Sequence, residues 1–178
     1  MIGAIIGSAA LGVAAFAGIA GYYAVRDEDD DDDDEGDRGA VARALRFAKV
    51  TLQQGLTASE LEGQPISAKF EVDRGKFQLA VHTSKDGRFS EVLVDYSTGQ
   101  IMKVQPITQG NDLDIAREQS EAMAKAKMAL REAVDKALVE AASFRAVAVV
   151  PNLKDGRAVA SVLLFKGEES KIVNQRLD

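Results

Sequence analysis

The feature that most constrains this chain is a change of hydrophobic period, from the helical 3.6 to the strand-like 2, that occurs twice along its length. From Gly39 to Gln54, the residues Val41, Ala44, Leu45, Ala48 and Leu52 fall on one helical face, with Arg43, Arg46, Lys49 and Gln53 between them. Gly55 is expected to stop that helix, and Thr57 with Glu60 three positions on reads as a capping box for a short second turn. After Pro65 the apolar residues alternate: Ile66, Ala68, Phe70 and Val72, then Phe77, Leu79 and Val81. Asp73-Arg74-Gly75-Lys76, Lys85-Asp86-Gly87-Arg88 and Ser97-Thr98-Gly99 read as hairpin turns, so a helix leads into a four-stranded antiparallel meander ending near Val104.

Pro106 to Gly110 breaks the pattern, and Asn111 or Asp112 is expected to cap a second helix running to about Ala142. Alternation then returns at Phe144, Ala146, Ala148 and Val150, and again at Val159, Ser161, Leu163 and Phe165. A last strand is expected from Ser170 to Leu177. The expected class is α+β: two helix-plus-antiparallel-sheet units, spanning 39–108 and 109–178, each burying one sheet face under its helix.

Two segments precede these units. Residues 1–26 contain Ile2 to Val25, 24 residues without a charge, long enough as a helix to cross a hydrocarbon core of roughly 30 Å. Tyr22 and Tyr23 suit an interface, and Gly3 with Gly7, and Ala10, Ala14 and Gly18, repeat small residues at a spacing suited to close helix packing. The segment reads as a retained anchor. A cleaved secretory signal is the alternative, since small residues recur at Ala15-Phe16-Ala17 and Gly18-Ile19-Ala20, although no Lys or Arg precedes the apolar run. Either reading places the bulk of the chain in the periplasm or outside a bacterial cell.

Residues 27–38 form the second segment. Ten of the 28 acidic residues lie between Asp27 and Asp37, leaving 18 against 22 basic ones elsewhere, a balance of +4. Such a run repels itself and is expected to be an extended, solvated linker. Asp31, Asp33, Glu35 and Gly36 fall on the first ligand positions of a calcium loop, but the twelfth position, where a carboxylate is needed, is Ala42. Only weak calcium association is expected there. The mild basic surplus elsewhere lacks the dense stripe that nucleic-acid binding requires.

Catalytic chemistry is poorly provided for. Cysteine is absent, and a single histidine, His82, cannot build an imidazole metal site or a hydrolytic triad with a second one. His82 lies on the strand face opposite Leu79 and Val81, and Asp95 and Asp155 sit in predicted turns, where Asp bonds its own backbone. No phosphate-binding glycine motif occurs, and Met102, Met123 and Met128 stand among core residues. No enzyme activity and no cofactor are expected.

Ala44-Leu45-Arg46-Phe47-Ala48 and Val94-Asp95-Tyr96-Ser97-Thr98-Gly99-Gln100-Ile101-Met102-Lys103-Val104 resemble the PepSY family over about residues 41–106, and residues 118–178 look like a divergent copy that lacks the Asp-x-x-Thr-Gly ending. Asp95, Thr98 and Gly99 carry the turn signature of that likeness. The resemblance implies a noncatalytic, membrane-associated or secreted module that binds or inhibits peptidases. Two alternatives follow from the flanking segments: an accessory subunit docked in a membrane complex through its N-terminal helix, and a weakly calcium-binding surface protein.

Overall fold

Alternation and turn chemistry dictate most of what is observed. The computed structural model describes the backbone of residues 32–178 and side chains from residue 38; the apolar segment Ile2–Val25, with Gly3, Gly7, Ala10, Ala14 and Gly18, and the start of the acidic run, including Asp31, lie outside the described residues. Four helices and seven strands follow: α1 (Asp32–Leu45), α2 (Leu52–Ser59), β1 (Gln64–Asp73), β2 (Lys76–Lys85), β3 (Arg88–Val94), β4 (Ile101–Ile107), α3 (Gly110–Lys125), α4 (Leu130–Glu140), β5 (Arg145–Lys154), β6 (Arg157–Lys166) and β7 (Glu169–Arg176). Among these helices none is long and apolar enough to cross a membrane.

Three tight turns, Arg74-Gly75, Asp86-Gly87 and Asp155-Gly156, place both central residues at positive φ, the mirror-image geometry that matches the twist of flanking strands. They set the register of β1 on β2, β2 on β3 and β5 on β6. The two expected units are not separate domains. They share one antiparallel sheet in the order β4-β3-β2-β1-β5-β6-β7.

The join has a simple geometry. β1 is bulged at Ile66 and β5 at Val147, 81 positions later, and the paired residues at the join, Ala68 and Val149, stand at that same separation. Each is therefore the counterpart of the other, and a local twofold axis passes between them. Bonding between β1 and β5 is confined to Ala68–Val149 and Lys69–Ala148 because the bulges bend both strands away on either side.

Several helix boundaries differ from expectation. Residues 32–38, read as part of an extended linker, have the helical backbone of α1. The helix expected over Gly39–Gln54 ends at Leu45 and restarts at Leu52, because the amides of Lys49 and Val50 both donate to the Tyr96 carbonyl, at 2.9 and 3.0 Å. The capping box belongs to Thr51 and Gln54, not to Thr57 and Glu60, and Glu60 is the C-cap of α2. Likewise the single helix expected to Ala142 is two helices, since Lys127 and Met128 donate to the Leu177 carbonyl. Asn111 and Asp112 fall in the first turn of α3 rather than capping it.

Gly55 does not end a helix; it lies within α2. A Cβ there would stand 2.3 Å from the Leu79 Cδ2 atom, so glycine is what lets the helix approach β2. Helices α2 and α4 cover the apolar face of Ala68, Phe70, Leu79, Val81, Ala160 and Val162, and they meet across the axis through a 3.0 Å hydrogen bond from Gln53 Nε2 to Asp135 Oδ1. Gly55→Val is expected to lower stability by about 1–3 kcal/mol through overpacking against Leu79. Chemical denaturation would show the midpoint fall with the slope unchanged.

Candidate functional site

The two halves share a backbone and differ in chemistry on one face of the sheet. In the first half, cross-strand pairing places Ser67, Lys69 and Glu71 of β1, Gln78 and His82 of β2, Glu91 of β3 and Gln105 of β4 on the face opposite Phe70 and Leu79. Simple alternation reads these as solvated, yet Ser67, Lys69, Glu71, His82 and Glu91 are buried.

Burial obliges each of them to find partners. Lys69 pairs with Glu71, which also accepts from Gln78 Nε2 at 2.8 Å. Glu91 accepts from Gln105 Nε2 at 3.2 Å and lies 3.9 Å from His82 Nε2. Ser67 Oγ donates to Gln119 Oε1 of α3 at 2.8 Å, and Ser120 Oγ sits 3.5 Å from Ser84 Oγ. Helix α3 thus lies against this polar layer.

Electrostatics follow from the burial. Desolvation, with the Lys69 charge adding to it, lowers the His82 imidazole to about 3, and Asp112, Glu71 and Gln119 pull it upward without reversing this. Burial pushes the Glu91 carboxyl up, against the opposing charge of Lys69. His82 is therefore held in its neutral form at ordinary pH, with one ring nitrogen carrying a proton and the other a lone pair.

The second half shows that the fold does not require this layer. At a separation of 81, Ser67, Lys69, Gln78, His82, Ser84 and Glu91 become Ala148, Val150, Val159, Leu163, Phe165 and Ile172. The helix positions change with them: Gln119 and Ser120 of α3 correspond to Val41 and Ala42 of α1, and Ala42 lies with Phe165 along one cavity wall. A polar helix–sheet contact in one half is thus an apolar contact in the other. Lys69, Glu71, Glu91 and Gln119 were not singled out from the sequence, and the signal that finds them is this comparison of the two copies.

The turn residues do structural work. Asp95 Oδ1 accepts from the amides of Thr98 and Ser97 at 2.7 and 2.8 Å and from Thr98 Oγ1 at 3.1 Å. These bonds, the Thr98 amide first, hold its carboxyl below the usual carboxylate range. Gly99 takes φ +77°, and the turn presents the Tyr96 carbonyl to the amides of Lys49 and Val50. Leu177, 81 positions after Tyr96, plays the same part for Lys127 and Met128. Of the calcium candidates, Asp33 and Glu35 lie in the helical backbone of α1 rather than in a loop, and among the described residues no group of acidic or histidine side chains is placed to hold a metal ion.

The sheet ends in two different edges. Strand β4 is bulged at Met102 and carries Pro106, two features that block a further strand. Strand β7 pairs with β6 through eight consecutive positions without a shift, and contains neither proline nor bulge. β7 is the counterpart of β3, and on β3 the equivalent outer position is filled by β4.

No family model matches the chain, and no curated protein matches it. Among solved structures, a candidate lipoprotein from Clostridium difficile 630 is similar over 67% of this chain and 79% of its own, at 13% identity and a TM-score of 0.40. At that score the likeness carries neither fold nor function across.

The neutral His82 has a measurable consequence. A histidine whose folded pKa lies below its unfolded value of about 6.5 contributes stability that is present above 6.5 and lost as pH falls toward the folded value. Glu91, whose pKa is raised, acts in the opposite sense as it gains a proton. His82→Leu, which installs the residue of the second half, is expected to remove a loss of about 1.4 kcal/mol per pH unit below pH 6.5. Denaturant unfolding of both proteins at pH 7, 6 and 5 checks this; parallel pH profiles would contradict it.

Proposed function

We propose that the chain is a noncatalytic, membrane-tethered binding module, built from two PepSY-like units and held outside the bacterial cytoplasm by the apolar segment Ile2–Val25. Its partner is a protein, with an extracytoplasmic peptidase as the class that the family likeness implies. The observation that carries the reading is the outer edge of β7. In the first half, β4 runs antiparallel along β3 and satisfies its backbone groups, whereas β7 presents the same outer row of N–H and C=O groups at the end of the sheet. An extended partner segment that adds to β7 would bond main chain to main chain, with alternate side chains supplying selectivity.

Two further features support it. Ile172, 41% exposed, lies in mid-strand and offers an apolar contact on the edge, while Glu169 and Lys171 provide charges that a matching segment can pair and a mismatched one cannot. The noncatalytic part of the proposal is supported by the burial of His82, the single histidine of the chain, which is 0% exposed.

Site-specific photo-crosslinking tests it in native membranes with the full chain. A crosslinker at position 172 should trap an extended segment of an extracytoplasmic protein, and one at Met102 on the blocked β4 edge should not. Ile172→Lys should reduce capture at least about tenfold, equivalent to ~1.4 kcal/mol. Equal capture from both edges, or capture from position 102 alone, would sink strand addition to β7. Protease accessibility in spheroplasts checks the location.

A further inference from the structure

The two helix-linking segments repeat one set of backbone hydrogen bonds. Ala48 donates to the Leu45 carbonyl and Ala126 to that of Met123, both at 3.1 Å; Lys49 and Val50 donate to Tyr96 as Lys127 and Met128 donate to Leu177. The matching residues of the two linking segments stand 78 positions apart, so the carbonyls of Leu45, Ala48 and Val50 correspond to those of Met123, Ala126 and Met128. The first set converges on one guanidinium: Arg145 Nη1 donates to Leu45 at 2.8 Å, and Nη2 donates to Ala48 and Val50 at 2.8 and 2.9 Å. That group also lies over the Phe70 ring, 5.9 Å from its centroid.

Arg145 opens β5, and the residue that opens β1 in its place is Gln64, which is exposed. Gly63 stands where the second half has Phe144. With the two large side chains of the second half replaced by a glycine and a glutamine, a cavity of about 250 Å³ remains beside Met123 and Leu130, with Glu60 also in its wall. Gly63 cannot be enlarged to fill it, since its φ is +155° and a Cβ would lie 2.8 Å from the Ser84 carbonyl oxygen.

We infer that this cavity receives the side chain of an arginine carried by a partner protein. Met123 lines the cavity, and its carbonyl is the counterpart of the Leu45 carbonyl that accepts from Arg145 Nη1, an acceptor for a planar, five-donor guanidinium; the counterparts at Ala126 and Met128 follow it at the C-terminal end of α3, the negative end of the helix dipole. Glu60 adds a carboxylate; apolar walls at Leu56 and Met123 suit the arginine stem. Arg131 also lines the cavity but is exposed, and solvent screens its charge. The inference rests on the reading of the chain as a protein-binding module, but the cavity is formed by α2, α3, α4 and the start of β1, away from β7.

The test uses the full chain in detergent micelles, with amide NMR spectra recorded during titration with N-acetyl-arginine-N-methylamide and with its norleucine counterpart. The arginine probe is expected to give saturable shifts confined to residues 63, 64 and 126–130, and the norleucine probe to leave them in place. Gln64→Arg, which supplies the guanidinium from within, should abolish that response and raise the melting temperature by about 2–5 °C. Gln64→Ala should keep the response. Absence of shifts with arginine, equal shifts with norleucine, or a Gln64→Arg protein that still responds would overturn the assignment. Photo-crosslinking from position 172 in the otherwise unaltered chain separates the two sites: capture at 172 with a cavity that does not respond to arginine refutes the cavity assignment alone, and no capture at 172 with a cavity that responds refutes strand addition alone.

Discussion

The pairing of Ala68 with Val149 is the constraint on which the rest of the structure depends. It joins two copies of one pattern through counterpart residues, turning two small sheets into one sheet of seven strands with a single core. Neither copy alone would bury much surface, since domains of this size are marginal. Ala68, small and on the face that α2 and α4 cover, leaves room for those helices to meet over the axis, and the bulges at Ile66 and Val147 limit the shared ladder to its centre. The contact of α2 with α4 follows from that geometry.

A near-symmetric fold creates a problem of assignment, because α1 and α3 present similar shapes to similar sheets. The polar layer resolves it. If α1 and α3 exchanged places, Val41 would face Ser67 and His82, and Gln119 would face Ala148 and Leu163, leaving buried polar groups without partners at a cost of about 1–3 kcal/mol each. The Lys69–Glu71 pair and the His82–Glu91 contact contribute little net stability once desolvation is counted, but they make the wrong arrangement expensive. The apolar counterparts Val150, Leu163 and Ile172 show that the same backbone folds without them.

How much of this could be read in advance depended on the range of the forces involved. Strand identities and turns were legible, because period-two alternation and pairs such as Asp86-Gly87 are local signals. The helix breaks at residues 46–51 and 126–129 were not, since the amides of Lys49 and Lys127 are captured by carbonyls about 50 positions away in sequence, and their own residues favour helix. Gly55 misled for a similar reason: its cause is Leu79, on another element. Ser67, Lys69 and Glu71 carried the outward half of an alternating pattern, and nothing local reveals that α3 lies against them. Arg145 was invisible as a helix cap because its three acceptors lie about 100 positions before it.

The unequal treatment of the two sheet edges bears on what the molecule does. A bulge and a proline on β4 exclude every incoming strand, whatever its sequence. Charges on β7 exclude only those strands that fail to match them, because an opposing pattern of charge converts repulsion into attraction while the backbone groups remain available. A fold that needed only to avoid aggregation could have used the first device on both edges. Keeping β7 regular and unblocked retains an exposed edge, and with it some exposure to unwanted pairing, that a selective partner would turn to use.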